Sequence, residues 1–189
     1  MMIKIKQILI KIKAKIFSVF ADKNSGLKVL NSIPTKRGLL WVDIANFINK
    51  LKEHEKGVIR GTKAGDELFP LKHHFADGLY TREIFMPKGS IIASLIHKTN
   101  HPSFLLKGEV SILCDDGSIK RIKAPLKIMT EAGTQRVLYM HSDTTWVCVY
   151  RTDKTTVEEA EKEVYTDNYK ELSIDIINNK VLTNYDEVI

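Results

Sequence analysis

Two stretches decide the fold: residues 86–110, MPKGSIIASLIHKTNHPSFLLKGEV, and residues 124–136, APLKIMTEAGTQR. In both, short apolar runs are cut every few residues by turns containing Gly, Pro or Asn, the texture of short antiparallel strands. Working outward, the same texture runs from Leu79 to Arg151. The predicted strands are LYTREIFM (79–86), SIIASLIH (90–97), PSFLL (102–106), EVSILC (109–114), SIKRIK (118–123), PLKIMT (125–130), TQRVLYMH (134–141) and TTWVCVYR (144–151). Their connections are tight, and Asp116-Gly117 between apolar runs is a strong hairpin signal. Strands of this length with such turns predict a mainly β fold, an antiparallel barrel or jelly roll.

At 189 residues the chain is long enough to bury a genuine core. Hydrophobic residues at 43% and charged residues at 28% are ordinary for a globular protein. Cys114 and Cys148 both sit in apolar strand-like runs, where a buried reduced thiol is expected, and neither has a motif that activates a nucleophile. No glycine-rich phosphate loop, zinc-finger spacing or nucleic-acid motif is present, so no nucleic-acid partner is expected.

The net charge of +6 is unevenly spread. Residues 1–25 carry six lysines against Asp22, residues 153–189 carry ten carboxylates against four lysines, and the middle is left at +7. A basic body with an acidic tail can attract an anionic ligand or dock its own tail.

In MMIKIKQILIKIKAKIFSVF the lysines interrupt the apolar run, which argues against a signal peptide and a membrane span and for a cytoplasmic protein. On a helical wheel Ile5, Ile8, Leu9, Ile12, Ile16, Val19 and Phe20 share a face flanked by lysines. This predicts a basic amphipathic helix that packs on the chain itself or a second copy, or lies on an anionic membrane surface through residues 3–20. A second helix is predicted in WVDIANFINKLKEHEK, where Trp41, Ile44, Phe47, Ile48 and Leu51 form a core-facing stripe. RGTKAGDELFP and KHHFADG then read as loop. After the barrel, Thr155 or Thr156 caps a helix with acids in its first turn. The organisation expected is a basic helix (1–25), a helical N-terminal extension (26–66), a β-barrel (67–152) and an acidic C-terminal extension (153–189).

With these residues in place the chain resembles a cupin. The first cupin motif spaces Gly, His, His, Glu and Gly so that Gly89 opens it and Gly108 closes it at full length. Leu95 stands at the first His position, His97 at the second, and His101 at the Glu. In the second motif Glu131, Gly133, Arg136 and Met140 stand at the Pro, Gly, His and Asn positions. The barrel, including HHFADGLYTREIFMPKG, IHKTNHP, AGTQRVLY and TDKT, also resembles small single-domain cupin-like proteins of tailed bacteriophages over roughly residues 70–160. That resemblance implies the cupin-type jelly roll and no assigned activity.

The resemblance implies a barrel-mouth site at His97 and His101, which converge across the turn Lys98-Thr99-Asn100. A divalent transition metal there needs a third ligand, for which His141 is a candidate, with His73 or His74 approaching from the preceding loop. Arg136 puts a fixed cation where a metal would sit, and a regular strand points His141 to the opposite face. On LYTREIFM, Tyr80 and Arg82 share one face, Thr81 and Glu83 the other. An interior holding Tyr80, Arg82, His97, His101 and Arg136 suits a phosphate, nucleotide, sugar phosphate or carboxylate.

The sequence therefore reads as a non-catalytic, homo-oligomeric cupin-like protein that binds a small anionic ligand through those five residues, with no certain cofactor. Two readings stand beside it: a metal-dependent oxygenase or isomerase using His97, His101 and a third histidine, and a structural protein with a filled barrel. A metal-free His base and Tyr acid is a further possibility, but no carboxylate is placed to orient a histidine.

Overall fold

The computed structural model describes residues 44, 46–50, 63–114 and 118–177. Within them a short helix, α1 (Lys63–Leu68), leads into β1 (Leu71–Ala76) and β2 (Leu79–Met86). There follow β3 (Ile91–Ala93), β4 (Ile96–His97), β5 (His101–Lys107), β6 (Glu109–Leu113), β7 (Ile119–Lys123), β8 (Leu126–Thr130), β9 (Val137–Met140) and β10 (Thr144–Arg151). Helix α2 (Val157–Val164), β11 (Tyr165–Thr166) and a 3-10 turn at Tyr169–Glu171 complete the described elements.

The topology follows from one nested set of antiparallel pairs. Glu109 lies opposite Lys123, His101 opposite Thr130, Ile91 opposite Tyr139 and Met86 opposite Thr144. Every pair has its midpoint at residue 115, at residue 116 or between them, so β2 to β10 form one long hairpin wound up on itself. That is a jelly roll. The winding brings β10 against β5 and β9 against β6, giving a sheet in the order β1-β2-β10-β5-β8 facing another in the order β3-β9-β6-β7. The mainly β antiparallel jelly roll expected from the sequence is the fold observed.

The glycines of the two motif-like stretches sit where the backbone must turn left-handed. Gly89, Gly108 and Gly133 have φ of 81°, 103° and 82°, a region that costs residues with a Cβ about 1–2 kcal/mol. The tip residues 115–117, with the expected Asp116-Gly117 turn, lie outside the described residues. On either side of them the Cys114 N–H donates to the Ser118 carbonyl at 2.9 Å.

Alternation along the strands sorts the core. Tyr80, Met86, Leu105, Val110, Ile112, Leu138, Met140, Trp146, Cys148 and Tyr150 fill the space between the sheets. On the outer face of the second sheet Leu113, Val137 and Tyr139 pack against Ile44 and Phe47. Residues 44 and 46–50 are helical, in keeping with the predicted core-facing stripe. The expected basic helix at 1–25 lies outside the described residues. No helix among the described residues is long and apolar enough to cross a membrane.

Four expectations are corrected. RGTKAGDELFP is not all loop: KAGDEL within it is α1, and the Phe69 N–H continues the helical pattern by donating to the Gly65 carbonyl at 2.9 Å. KHHFADG is not a loop: LKHHFA is β1, and Asp77 (φ 44°) with Gly78 (φ 80°) forms the two-residue turn into β2. SIIASLIH breaks at Ser94-Leu95, because Ser94 turns toward the β8–β9 connection, its N–H donating to the Arg136 carbonyl at 2.8 Å. TQRVLYMH begins as a strand only at Val137, since Gly133 and Thr134 bond instead to the main chain of His97.

Candidate functional site

Between the sheets, at the end away from Met86 and Leu105, the interior turns polar. Strand register explains why. Tyr80 lies opposite Tyr150 and Arg82 opposite Cys148, Cys148 lies opposite Ser103, and His101 lies opposite Thr130. These inward positions form two polar rows across one sheet. Tyr80 and Arg82 therefore face the interior and Thr81 and Glu83 face out, where Glu83 pairs with Lys72 at 2.9 Å.

A cavity of about 1330 Å³ opens beside these rows. Its walls are largely apolar, with Ile84, Ile92, Leu95, Leu138 and Trp146, and carry Arg82, His97 and Arg136. Of the five residues expected to bind an anion, those three reach the cavity. Tyr80 is fully buried behind it with its hydroxyl 2.7 Å from His73 Nδ1, and His101 is only 2% exposed.

Arg82 is buried, and its Nε donates to Glu161 Oε1 at 3.1 Å. Its guanidinium carbon sits 5.5 Å from the centre of the Tyr165 ring. Burial opposes charge on this arginine, but Tyr165 and Glu161 outweigh that, and its pKa is held above the ordinary arginine value. The acidic tail thus docks on its own barrel through α2.

His97 and His101 converge as expected, with ring centres 4.8 Å apart. His97 Nδ1 is 3.1 Å from the Tyr150 hydroxyl, which donates to the Tyr165 hydroxyl at 2.5 Å. His101 Nδ1 donates to the Thr99 carbonyl at 2.9 Å. Burial, then the neighbouring His101, Arg136 and Arg82, push His97 well below the usual histidine pKa. His101 is lowered chiefly by burial, with Arg136 adding and the Thr99 bond opposing. Both rings are neutral near pH 7, so neither adds positive charge to the cavity.

His141 does not join them. Its Nε2 is 2.8 Å from Ser111 Oγ and its ring meets the edge of Tyr139, on the outer face of the second sheet. His73 lines the cavity from β1 rather than from a loop. Among the described residues no group of three or more His, Cys, Asp or Glu side chains is gathered to hold a metal ion. His97 and His101 alone, beside the guanidiniums of Arg82 and Arg136, are a poor donor set for a divalent cation.

Sequence reasoning missed Tyr150, Glu161 and Tyr165. Tyr150 was within reach, since it shares its inward face with Trp146 and Cys148. Glu161 and Tyr165 were not, because only the docking of α2 and β11, which pairs with β4, brings them to the barrel.

No family model matches the chain, and no curated protein does either. Solved structures similar to it include the Cupin_2 domain of an XRE family transcriptional regulator from Enterobacter cloacae, at 13% identity and a TM-score of 0.39, covering 46% of this chain and 99% of that one. Ectoine synthase from P. lautus is similar at 15% identity and a TM-score of 0.42, covering 52% and 75%. A cupin superfamily protein from Desulfitobacterium hafniense is similar at 11% identity and a TM-score of 0.39, covering 45% and 78%. The class of this protein is set by its own nested strand pairs: an antiparallel jelly-roll barrel with a ligand-sized cavity between its sheets.

Proposed function

We propose that the protein is a non-catalytic cupin-type barrel that binds a small organic anion in its mouth. The observation that carries this reading is the apolar cavity with Arg82, His97 and Arg136 on its wall. Apolar walls with a few convergent polar groups are the usual composition of a small-molecule site. With His97 and His101 neutral, the charged groups lining the cavity are Arg82, Arg136 and Lys162 against Asp66, Glu161 and Asp167, and a wall so balanced favours a monoanion with an apolar body, such as a carboxylate, over a phosphate dianion. Among the described residues His97 Nδ1 meets the Tyr150 hydroxyl and His101 Nδ1 the Thr99 carbonyl, and no carboxylate orients either imidazole, which supports binding over acid–base chemistry.

Calorimetry with a panel of carboxylates, nucleotides and sugar phosphates tests the reading. Carboxylates are expected to bind, and Arg136→Met to weaken them at least tenfold. A panel in which nothing binds, or binding indifferent to Arg136→Met, overturns it.

Self-association is part of the same proposal. Leu106 and Met129, on β5 and the edge strand β8, are 54% and 61% exposed, and apolar side chains beside a sheet edge favour a second copy. Sedimentation of the wild type and of Met129→Glu decides the point; two monomeric samples would exclude it.

A further inference from the structure

The hydrogen bonds behind His97 fix which of its nitrogens is an acceptor. A phenol has one proton, and Tyr150 gives its own to the Tyr165 hydroxyl at 2.5 Å. Toward His97, 3.1 Å away, the Tyr150 oxygen can then only accept. The proton of the neutral His97 ring therefore sits on Nδ1, and Nε2 is left as a bare lone pair on a residue that lines the cavity. His101 is in the same tautomer for an independent reason: its Nδ1 faces the Thr99 carbonyl, which has no proton to give. The Nε2 of His101 is buried without a hydrogen-bond partner among the described residues. Two imidazoles with ring centres 4.8 Å apart thus both present acceptors, and the one on His101 has no donor among the described residues.

We propose that the ligand of this cavity carries a hydrogen-bond donor beside its anionic group: a small hydroxy acid, with its carboxylate toward Arg136 and Arg82 and its hydroxyl donating to His97 Nε2. The proposal rests on the anion reading above and deepens it. Tyr165 is the positioning residue that sets the preference. It belongs to β11, outside the jelly roll, yet by accepting the Tyr150 proton it dictates the His97 tautomer two hydrogen bonds away. Without its hydroxyl, Tyr150 turns its proton to His97 Nδ1, the imidazole proton moves to Nε2, and the cavity wall changes from acceptor to donor.

The test uses the full chain, purified without added metal, and a series of 2-hydroxy acids from lactate to 3-phenyllactate. Each is matched with its deoxy acid and its O-methyl ether. By calorimetry the wild type is expected to bind at least one hydroxy acid about tenfold more tightly than its two analogues, the ratio that one neutral hydrogen bond of about 1.4 kcal/mol confers. In Tyr165→Phe the O-methyl ether is expected to overtake the hydroxy acid. Long-range proton–nitrogen NMR should show His97 Nε2 unprotonated in the wild type and protonated in Tyr165→Phe. Equal affinities across each matched set, with Arg136→Met weakening all of them, overturn this inference and leave the anion reading standing. No binding by any acid overturns both. A wild-type His97 protonated on Nε2, or a metal ion retained stoichiometrically on the two imidazoles, overturns the inference directly.

Discussion

The hydroxyls of Tyr150 and Tyr165 lie 2.5 Å apart, one on barrel strand β10 and the other on β11 of the C-terminal segment. Burial first, and then Tyr165 and Cys148, hold the Tyr150 phenol above its ordinary pKa. Ultraviolet titration of the folded protein is therefore expected to be the same for the wild type and Tyr150→Phe up to about pH 11, where ordinary phenols have already ionised. A loss of one phenolate's absorbance in the variant below that pH would contradict the buried bond.

Stability should fall on mild acidification. His97 and His101 have folded-state values below the 6.5 of a free histidine. Below that pH the unfolded chain takes up protons that the folded chain refuses, so the unfolded state gains. The limit is roughly 1.4 kcal/mol per pH unit for each proton withheld. The melting temperature is expected to be level above pH 7.5 and to drop between about 6.5 and 5. His97→Gln should flatten that drop, and a melting temperature that rises on acidification would refute the argument.

Arg82 and Glu161 should behave as a coupled pair. The arginine side chain is 9% exposed and the glutamate 22%, so solvent screens the pair only in part. Removing either partner leaves the other inside the cavity, at a cost of about 2–3 kcal/mol after discounting the exposed carboxylate. In a denaturation cycle of Arg82→Met, Glu161→Gln and the double variant, a coupling above about 1 kcal/mol is expected. Additive effects would mean that the two side chains do not meet in solution.

Two glycines separate backbone strain from collision. A methyl group on Gly89 would meet nothing within 4 Å, whereas on Gly108 it would lie 2.8 Å from the Asp143 carbonyl oxygen and against Thr144. Gly89→Ala is expected to cost about 1 kcal/mol and Gly108→Ala about 2–3 kcal/mol. Equal losses in urea denaturation would deny the close approach of β10 to the β5–β6 turn.

Thr156 caps α2 by accepting from the Glu159 N–H, and its hydroxyl donates to the Glu159 carboxylate at 3.0 Å. Thr156→Ala should cost about 1 kcal/mol. It should also speed hydrogen exchange at the Lys98 amide, which donates to the Val164 carbonyl at the end of that helix. Unchanged exchange there would show that α2 does not depend on its cap.

Much of this architecture is legible in the residues. LYTREIFM and TTWVCVYR have the predicted bounds because both are central strands whose alternation is reinforced by burial. The turn glycines declare themselves because only they tolerate the required φ. LKHHFA reads poorly because it is an edge strand: Lys72, His74 and Ala76 are exposed, so the apolar signal is missing, although Asp77-Gly78 was a usable hairpin mark. The break at Ser94-Leu95 is invisible locally, since it is made by Gln135 and Arg136, some forty positions away. The candidate site was half legible. His97, His101, Arg82 and Arg136 could be named, but their charge state could not, because it depends on burial and on the docked Glu161 and Tyr165.

The nested register has an evolutionary corollary. Since Met86–Thr144 and Glu109–Lys123 share nearly one midpoint, a residue inserted into one arm shifts every outer pair by one position and turns that arm's inward side chains outward. The slip at Thr145/Trp146 lies in the pairing of β10 with β5, while β10 stays in unbroken register with β2 through the same residues. Length changes in lineages that keep this barrel should therefore be found in the connections or as compensated changes in both arms.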